Sequence, residues 1–286
     1  MIIAKNIAQL KDTVRGWKKE DHTIGFIPTM GFLHAGHLDL VRSSKEKCHK
    51  SIVSIFVNPT QFNDPEDYLK YPMDIEGDLK KCETSGVDLV FLPNKEDLYP
   101  SDEGNITLTQ AELQKNLCGK TRPGHFEGVM LVVSKFFNLV QPDVSFFGQK
   151  DFQQLRIIEE MVRLLNFPIQ IIGVPTLREQ DGLAMSSRNV RLSPKERETA
   201  AFIPRMFSLA KRVIENGEKD VSTFHEILAD FLLSAPNLRI DYIETVDPKR
   251  LQTIETLENE FLLAIAVFVG NTRLIDNNII QPKLNS

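Results

Sequence analysis

An apolar, β-prone run, Ile24 to Ile27, stops at Pro28, passes Gly31, His34, Gly36 and His37, and enters the helical pattern Leu38, Leu40, Val41. That succession reads as a strand-turn-helix junction. A second apolar run, Ser51 to Val57, follows one helix later. Two such runs joined by a helix make a βαβ unit, with parallel strands and a right-handed crossover.

The rest of the first half repeats the theme. The pattern predicts helices over 5–19, 38–48, 74–85 and 129–140, and one running to about Leu165. Further strands are expected at Asp88 to Pro93, Asp143 to Phe147 and Pro168 to Val174. After Ser193-Pro194, an N-cap with proline at the first helical position opens a helix of about twenty residues, and another spans 221–234. Strands are then expected near 238–246, 261–269 and 272–276. The expected class is α/β: a Rossmann-like parallel-sheet domain over 1–180 and a smaller α+β domain over 181–286.

Composition narrows the function. The 286 residues are 42% hydrophobic and 26% charged, ordinary for a globular chain, and the net charge of -5 speaks against a general nucleic-acid-binding surface. Cys48, Cys82 and Cys118 are odd in number and widely spaced, so they read as reduced structural thiols. No signal-peptide pattern opens the chain and no run nears the roughly 18 apolar residues of a membrane span. A cytoplasmic enzyme is the expectation.

The chemistry-bearing residues cluster after strands. At the first junction, Gly31 and Gly36 are expected to let phosphates approach the backbone at a helix N-terminus, with His34 and His37 donating to phosphate oxygens. His-x-x-His also serves as a plain turn cap, and zinc is disfavoured because the His-Glu-x-x-His spacing is absent. Asn58 and Gln61 follow the second strand, where open α/β sheets bind ligands, though Asn58 equally suits a proline-directed turn. Asp78 lies in an acidic helix that reads either as a solvated face or as carboxylates for a phosphate-bound Mg²⁺. Arg122 and His125 suit an anion contact or a loop brace at a subunit contact. At the next junction, Gly148 and Gln149 precede Lys150, a point charge for phosphate, while Asp151 suits a helix cap or a ribose hydroxyl and Gln154 faces the same mouth. Asp181 to Asn189 combines a turn, two hydroxyls and an arginine, as a mobile clamp on a triphosphate would.

Taken together, Pro28-Thr29-Met30-Gly31 with His34-x-Gly36-His37, Asn58-Pro-Thr-Gln61-Phe62, Arg122-Pro-Gly-His125-Phe126, Phe147-Gly148-Gln149-Lys150-Asp151 and Met185-Ser186-Ser187-Arg188 resemble, in order and spacing, the pantoate–β-alanine ligases. The first and last blocks also look like the ATP signatures of class I aminoacyl-tRNA synthetases. The resemblance implies ATP-dependent condensation of pantoate and β-alanine through pantoyl adenylate, with Mg²⁺ beside the ATP, in a homodimer; the charge balance and the lack of a long apolar run add no nucleic-acid or membrane partner. It implies that Met30, Gly31, Phe32, Leu33, His34, Ala35, Gly36 and His37 line the ATP site, His37 being the family's proton donor. It also places Gly148, Gln149, Lys150 and Asp151 at phosphate and ribose, Leu177 at adenine through its backbone, and Met185, Ser186, Ser187 and Arg188 at the phosphates. Gln61 and Gln154 would bind pantoate, Gln61 also bordering β-alanine, with His34, His37, Lys150 and Arg188 catalytic. Two positions depart from the pattern: Ala35 stands where glutamate is common, and Gly77 interrupts an acidic stretch, which bears on Asp78 as a metal ligand. Another adenylate- or cytidylyl-forming enzyme is the nearest competing reading; a nucleotide-sensing or RNA-binding module is disfavoured by the acidic balance.

Overall fold

The computed structural model describes residues 1–101 and 106–282 and resolves into two compact units. Unit 1 comprises Met1–Gln110, Arg122–Gln149 and Gln154–Leu177; unit 2 comprises Ala111–Thr121, Lys150–Gln153 and Arg178–Ser286. Lys150 and its three successors therefore pack with the C-terminal unit, although the division at 180 would count them with the N-terminal one.

In unit 1, the strands β1 (Ile2–Ala4), β2 (Ile24–Thr29), β3 (Lys50–Ile55), β4 (Leu89–Phe91), β5 (Val144–Gly148) and β6 (Gln170–Val174) form one parallel sheet ordered β1-β4-β3-β2-β5-β6. The helices α1 (Ile7–Lys19), α2 (Ala35–Lys47), α3 (Pro65–Leu69), α4 (Ile75–Thr84), α5 (Lys95–Leu98), α7 (His125–Val140) and α8 (Phe152–Leu164) connect them; the short α6 (Leu117–Thr121) belongs to unit 2. The central strands are buried along their length, as parallel strands covered on both faces must be. Leu40 and Val41 of α2 pack with Ile27, Val53 and Phe146, and Phe136 of α7 meets Phe26 with ring centroids 5.6 Å apart.

Chain progression across the sheet reverses between β2 and β5, the position at which open α/β sheets bind ligands. The pairing there opens toward the carboxyl ends. β2 stays in register with β3 from Ile24↔Lys50 to Thr29↔Ile55, but with β5 only at Gly25↔Val144 and Phe26↔Ser145. The turns that follow β2 and β5 thus flank a splayed pair of strand ends.

In unit 2, β7 (Leu238–Val246), β8 (Phe261–Val269) and β9 (Thr272–Ile280) form an antiparallel sheet, covered by α10 (Phe202–Glu215) and α11 (Val221–Leu233) through a core that includes Met206, Phe224, Leu228 and Ile265. The single helix expected from Pro194 is two: α9 (Pro194–Ala200) ends at Ala201 before α10 begins. Pro204 is the reason, since it has no N–H for the carbonyl of Ala200 and its ring crowds that carbonyl. β9 runs four residues past the expected end because β8 pairs with it as far as Phe261↔Ile280. β1, which the sequence pattern does not predict, is an edge strand of three residues, too short to show periodicity.

Candidate active site

The turn after β2 is built inward. Gly31 and Phe32 both adopt left-handed backbone, at φ +83° and +51°. A Cβ at residue 31 would lie 2.9 Å from Ile55 and 3.0 Å from Asp78, so only glycine fits. The N–H of Gly31 donates to Thr29 Oγ1 (3.2 Å), that of Phe32 to Asp78 Oδ2 (2.6 Å) and that of Leu33 to Asp78 Oδ1 (2.7 Å). The N–H groups of Gly31 and Gly36 both bond within the protein.

His34 N-caps α2, its Nδ1 accepting from Gly36 N (3.2 Å), while His37 Nδ1 accepts from His34 N (3.2 Å). A neutral imidazole has one N–H, so two Nδ1 acceptors fix both rings as Nε2–H tautomers. The rings lie 4.0 Å apart, tilted by 39°. Capping uses Nδ1 of both rings. Ala35, between them, is exposed at the first helical position, where a side chain makes no contribution to either bond.

Asp78 requires a correction. It is 1% exposed, and both its oxygens fasten the Phe32–Leu33 backbone, with Lys81 Nζ 3.7 Å away. Among the described residues no group of three or more His, Cys, Asp or Glu could hold a metal. This carboxylate is a clamp on the turn, which rules out the solvated helix face. Burial pushes its pKa above the ordinary carboxylate range, opposed by the N–H groups of Leu33 and Phe32 and by Lys81. A carboxyl raised in the folded state stabilises most below its unfolded value and loses that contribution as pH rises through the folded one. Ionised Asp78 therefore costs stability at neutral pH, and the return is a fixed turn. Asp78→Ala is expected to destabilise the chain by about 2–6 kcal/mol, two buried N–H groups losing their acceptor. Added Mg²⁺ should not restore its activity in a titration, whereas recovery would reinstate Asp78 as a metal ligand.

After β3, Gln61 is held by a full set of neighbours. Its Oε1 accepts from Asn58 Nδ2 (3.0 Å) and its Nε2 contacts Met30 Sδ (3.0 Å), leaving one amide N–H and one lone pair for a ligand. Asn58, 1% exposed, is saturated: Nδ2 donates to Gln61 and to Gly128 O (3.1 Å), and Oδ1 accepts from Tyr99 (2.8 Å) and Thr60 (3.0 Å). Asn58 positions Gln61 and has no capacity left for substrate. Arg122 and His125 both bond to the turn that carries Gln61. His125 Nδ1 donates to Gln61 O (2.7 Å), which turns its Nε2 into the acceptor for Arg122 Nη1 (3.2 Å), and Arg122 Nε reaches Asn63 (3.3 Å).

After β5, a Cβ at Gly148 would meet nothing within 4 Å, and Gln149 Nε2 reaches Gly173 O (3.5 Å). Of the paired glutamines at the start of α8, Gln153 is buried and bonded to the carbonyls of Leu113 (2.7 Å) and Asn116 (2.8 Å); Gln154 is partly buried within unit 1, the same unit as Gln61. Leu177, 38% exposed, ends that unit.

The remaining candidates belong to unit 2. Lys150 Nζ lies 3.7 Å from Asp151. Ser186 Oγ caps the turn Ser187–Arg191 by accepting from Arg188 N (3.2 Å), and Met185 and Ser187 complete that segment. Arg178 pairs with Ala184 through a β-bridge, Asn189 Nδ2 donates to Glu179 (2.6 Å) and Ala184 O (3.1 Å), and Arg197 binds Asp181 (2.7 Å) and Glu179 (2.8 Å). The clamping function of Asp78, the saturation of Asn58 and the part of Tyr99 were missed in the sequence; each depends on at least one partner 41 or more residues away.

The chain matches the family model for pantoate-beta-alanine ligase over residues 2–279. It is 59% identical to the pantothenate synthetase of Leptospira biflexa serovar Patoc over 280 residues, 98% of this chain and 99% of that one. The fold superposes on the crystal structure of pantothenate synthetase from Thermus thermophilus with a TM-score of 0.92 at 38% identity, covering 99% and 100% of the two chains. It also superposes on pantoate-beta-alanine ligase from Francisella tularensis, solved in complex with beta-gamma ATP and beta-alanine, with a TM-score of 0.82 at 34% identity, covering 99% and 100%. With a splayed switch point, two donor imidazoles and likeness along its whole length, the chain belongs to the pantoate–β-alanine ligase family.

Proposed function

We propose that this chain condenses pantoate with β-alanine at the expense of ATP, giving pantothenate, AMP and pyrophosphate through pantoyl adenylate. The observation that carries the mechanism is the pair of Nε2–H imidazoles just past β2, at the reversal of the sheet. A pantoate carboxylate oxygen attacks the α-phosphorus of ATP; the bond to the β-phosphate oxygen breaks and its electrons leave with pyrophosphate. Negative charge grows on phosphate oxygens, where His34 and His37 donate from Nε2, His37 acting as proton donor, and Lys150 and Arg188 contribute fixed positive charge. The amine of β-alanine then attacks the acyl carbon, AMP departs, and the amine proton goes to solvent.

Gln61, with one donor and one acceptor to spare, and Gln154 are assigned to pantoate, and Gln61 also borders β-alanine. Met30 to His37 and Gly148 to Asp151 are assigned to ATP, Leu177 to adenine through its backbone, and Met185 to Arg188 to the phosphates. Mg²⁺ enters as the companion of the ATP phosphates, not as a ligand of Asp78. A homodimer rests on the family resemblance, and a cytoplasmic setting and the division at residue 180 on the sequence pattern; among the described residues no helix is long and apolar enough to cross a membrane. The purified chain is expected to form AMP only when ATP, pantoate and β-alanine are all present; AMP release indifferent to either small substrate would overturn the assignment.

A further inference from the structure

Two segments assigned to phosphate, Lys150 with its turn and the loop from Arg178 to Arg188, are both fastened to neighbouring residues of β9, within unit 2. Asp276 is 1% exposed. It binds the Arg178 guanidinium bidentately, Oδ2 accepting from Nη1 (2.7 Å) and Oδ1 from Nη2 (3.1 Å), and Nη1 also donates to Gly182 O (3.0 Å). The next residue, Asn277, donates from Nδ2 to Lys150 O (2.8 Å). Two consecutive residues of one strand thus hold both segments.

The strand itself is held firmly. Asp276 and Asn277 pair with Ile265 and Ala264 in the middle of a β8–β9 ladder that continues from Thr272 to Ile280. The main-chain N–H of Asn277 donates back to Asp276 Oδ1 (2.8 Å), which fixes the carboxylate. Neither residue belongs to a motif that suggested function, and Asn277 lies 127 positions from Lys150.

We propose that Asp276 and Asn277 are positioning residues that set the spacing between Lys150 and the Met185–Arg188 segment, and through it the enzyme's grip on the triphosphate of ATP. The inference rests on the nucleotide assignment above and names its structural control. Neither side chain is assigned a contact with substrate: one acts through a guanidinium, the other through a main-chain carbonyl.

The spacing matters for the β- and γ-phosphates and little for AMP, which has neither. Asn277→Ala removes the tie to Lys150 without leaving a buried charge, so it is the primary variant; Asp276→Asn is the second, because it strands Arg178 and risks the fold. Equilibrium binding of ATP and of AMP, the adenylation kcat/KM and the melting temperature would be measured for each. Asn277→Ala is expected to weaken ATP about tenfold and to lower adenylation kcat/KM about 10–100-fold, as a small misplacement of binding groups does, while AMP affinity changes less than about threefold. Asn277→Asp, which keeps the shape but replaces the amide donor with an acceptor, should match Asn277→Ala, and Asn277→Gln should recover part of the loss. Equal losses for ATP and AMP, or a lower melting temperature with unchanged ATP affinity, would overturn the proposal. Failure of the unaltered chain to form AMP from ATP, pantoate and β-alanine would instead refute the function on which it rests.

Discussion

Replacing His37 with asparagine is expected to leave α2 capped and to cut pantoyl adenylate formation about 100- to 1000-fold, the usual cost of removing one preorganised donor from developing charge. The reasoning is atomic. Nδ1 of His37 accepts from His34 N at 3.2 Å, and an asparagine Oδ1 reaches nearly the same place. What asparagine lacks is a donor where Nε2 stood. Glutamine reverses the exchange, placing an amide N–H near Nε2 while losing the cap. His37→Gln should therefore retain more adenylation than His37→Asn although it melts lower. Single-turnover adenylation together with thermal unfolding tests this; if both variants lose activity in proportion to stability, the imidazole is only a cap.

The second large effect is expected from Gly128→Ala, on the pantoate side. α7 lies against the turn that presents Gln61 so closely that a Cβ at 128 would come within 2.3 Å of Thr60 O and 2.7 Å of Gln61 N. Both are main-chain atoms, so the turn itself must move, and Asn58 would be drawn from Gln61 Oε1 and Gly128 O together. A displacement of this order should raise the KM for pantoate about 10–100-fold while the KM for ATP changes less than about threefold. Stability should fall by about 1–3 kcal/mol, the typical cost of overpacking. Parallel rises in both KM values, or no rise for pantoate, would show that the α7 contact does not control Gln61.

The strands and helices around the site were legible because each apolar run is bounded by proline or glycine and each switches period cleanly. Ile24 to Ile27 before Pro28 and Phe146-Phe147 before Gly148 gave the two strand ends that flank the switch point. The break at Ala201 was also written in the sequence, as Pro204, but was hidden by the strong N-cap at Ser193. Asp78 was not legible: at helical spacing from Asp74 it looks like any solvated acid, and only Phe32 and Leu33, packed onto it in three dimensions, show that it is buried. His34 and His37 were found as residues but not as tautomers, since their Nδ1 acceptors appear only once α2 is seen to begin at Ala35. Asp276 and Asn277 gave no signal, reading as the fraying end of a strand whose true extent is set by β8.

The central claim is that pantoate's own carboxylate attacks the α-phosphorus of ATP at the mouth between β2 and β5. Labelling both carboxylate oxygens of pantoate with oxygen-18 and analysing the products by mass spectrometry tests it most directly. The account predicts one labelled oxygen in AMP, one retained in the amide carbonyl of pantothenate and none in pyrophosphate. Unlabelled AMP, or label appearing in pyrophosphate, would contradict it.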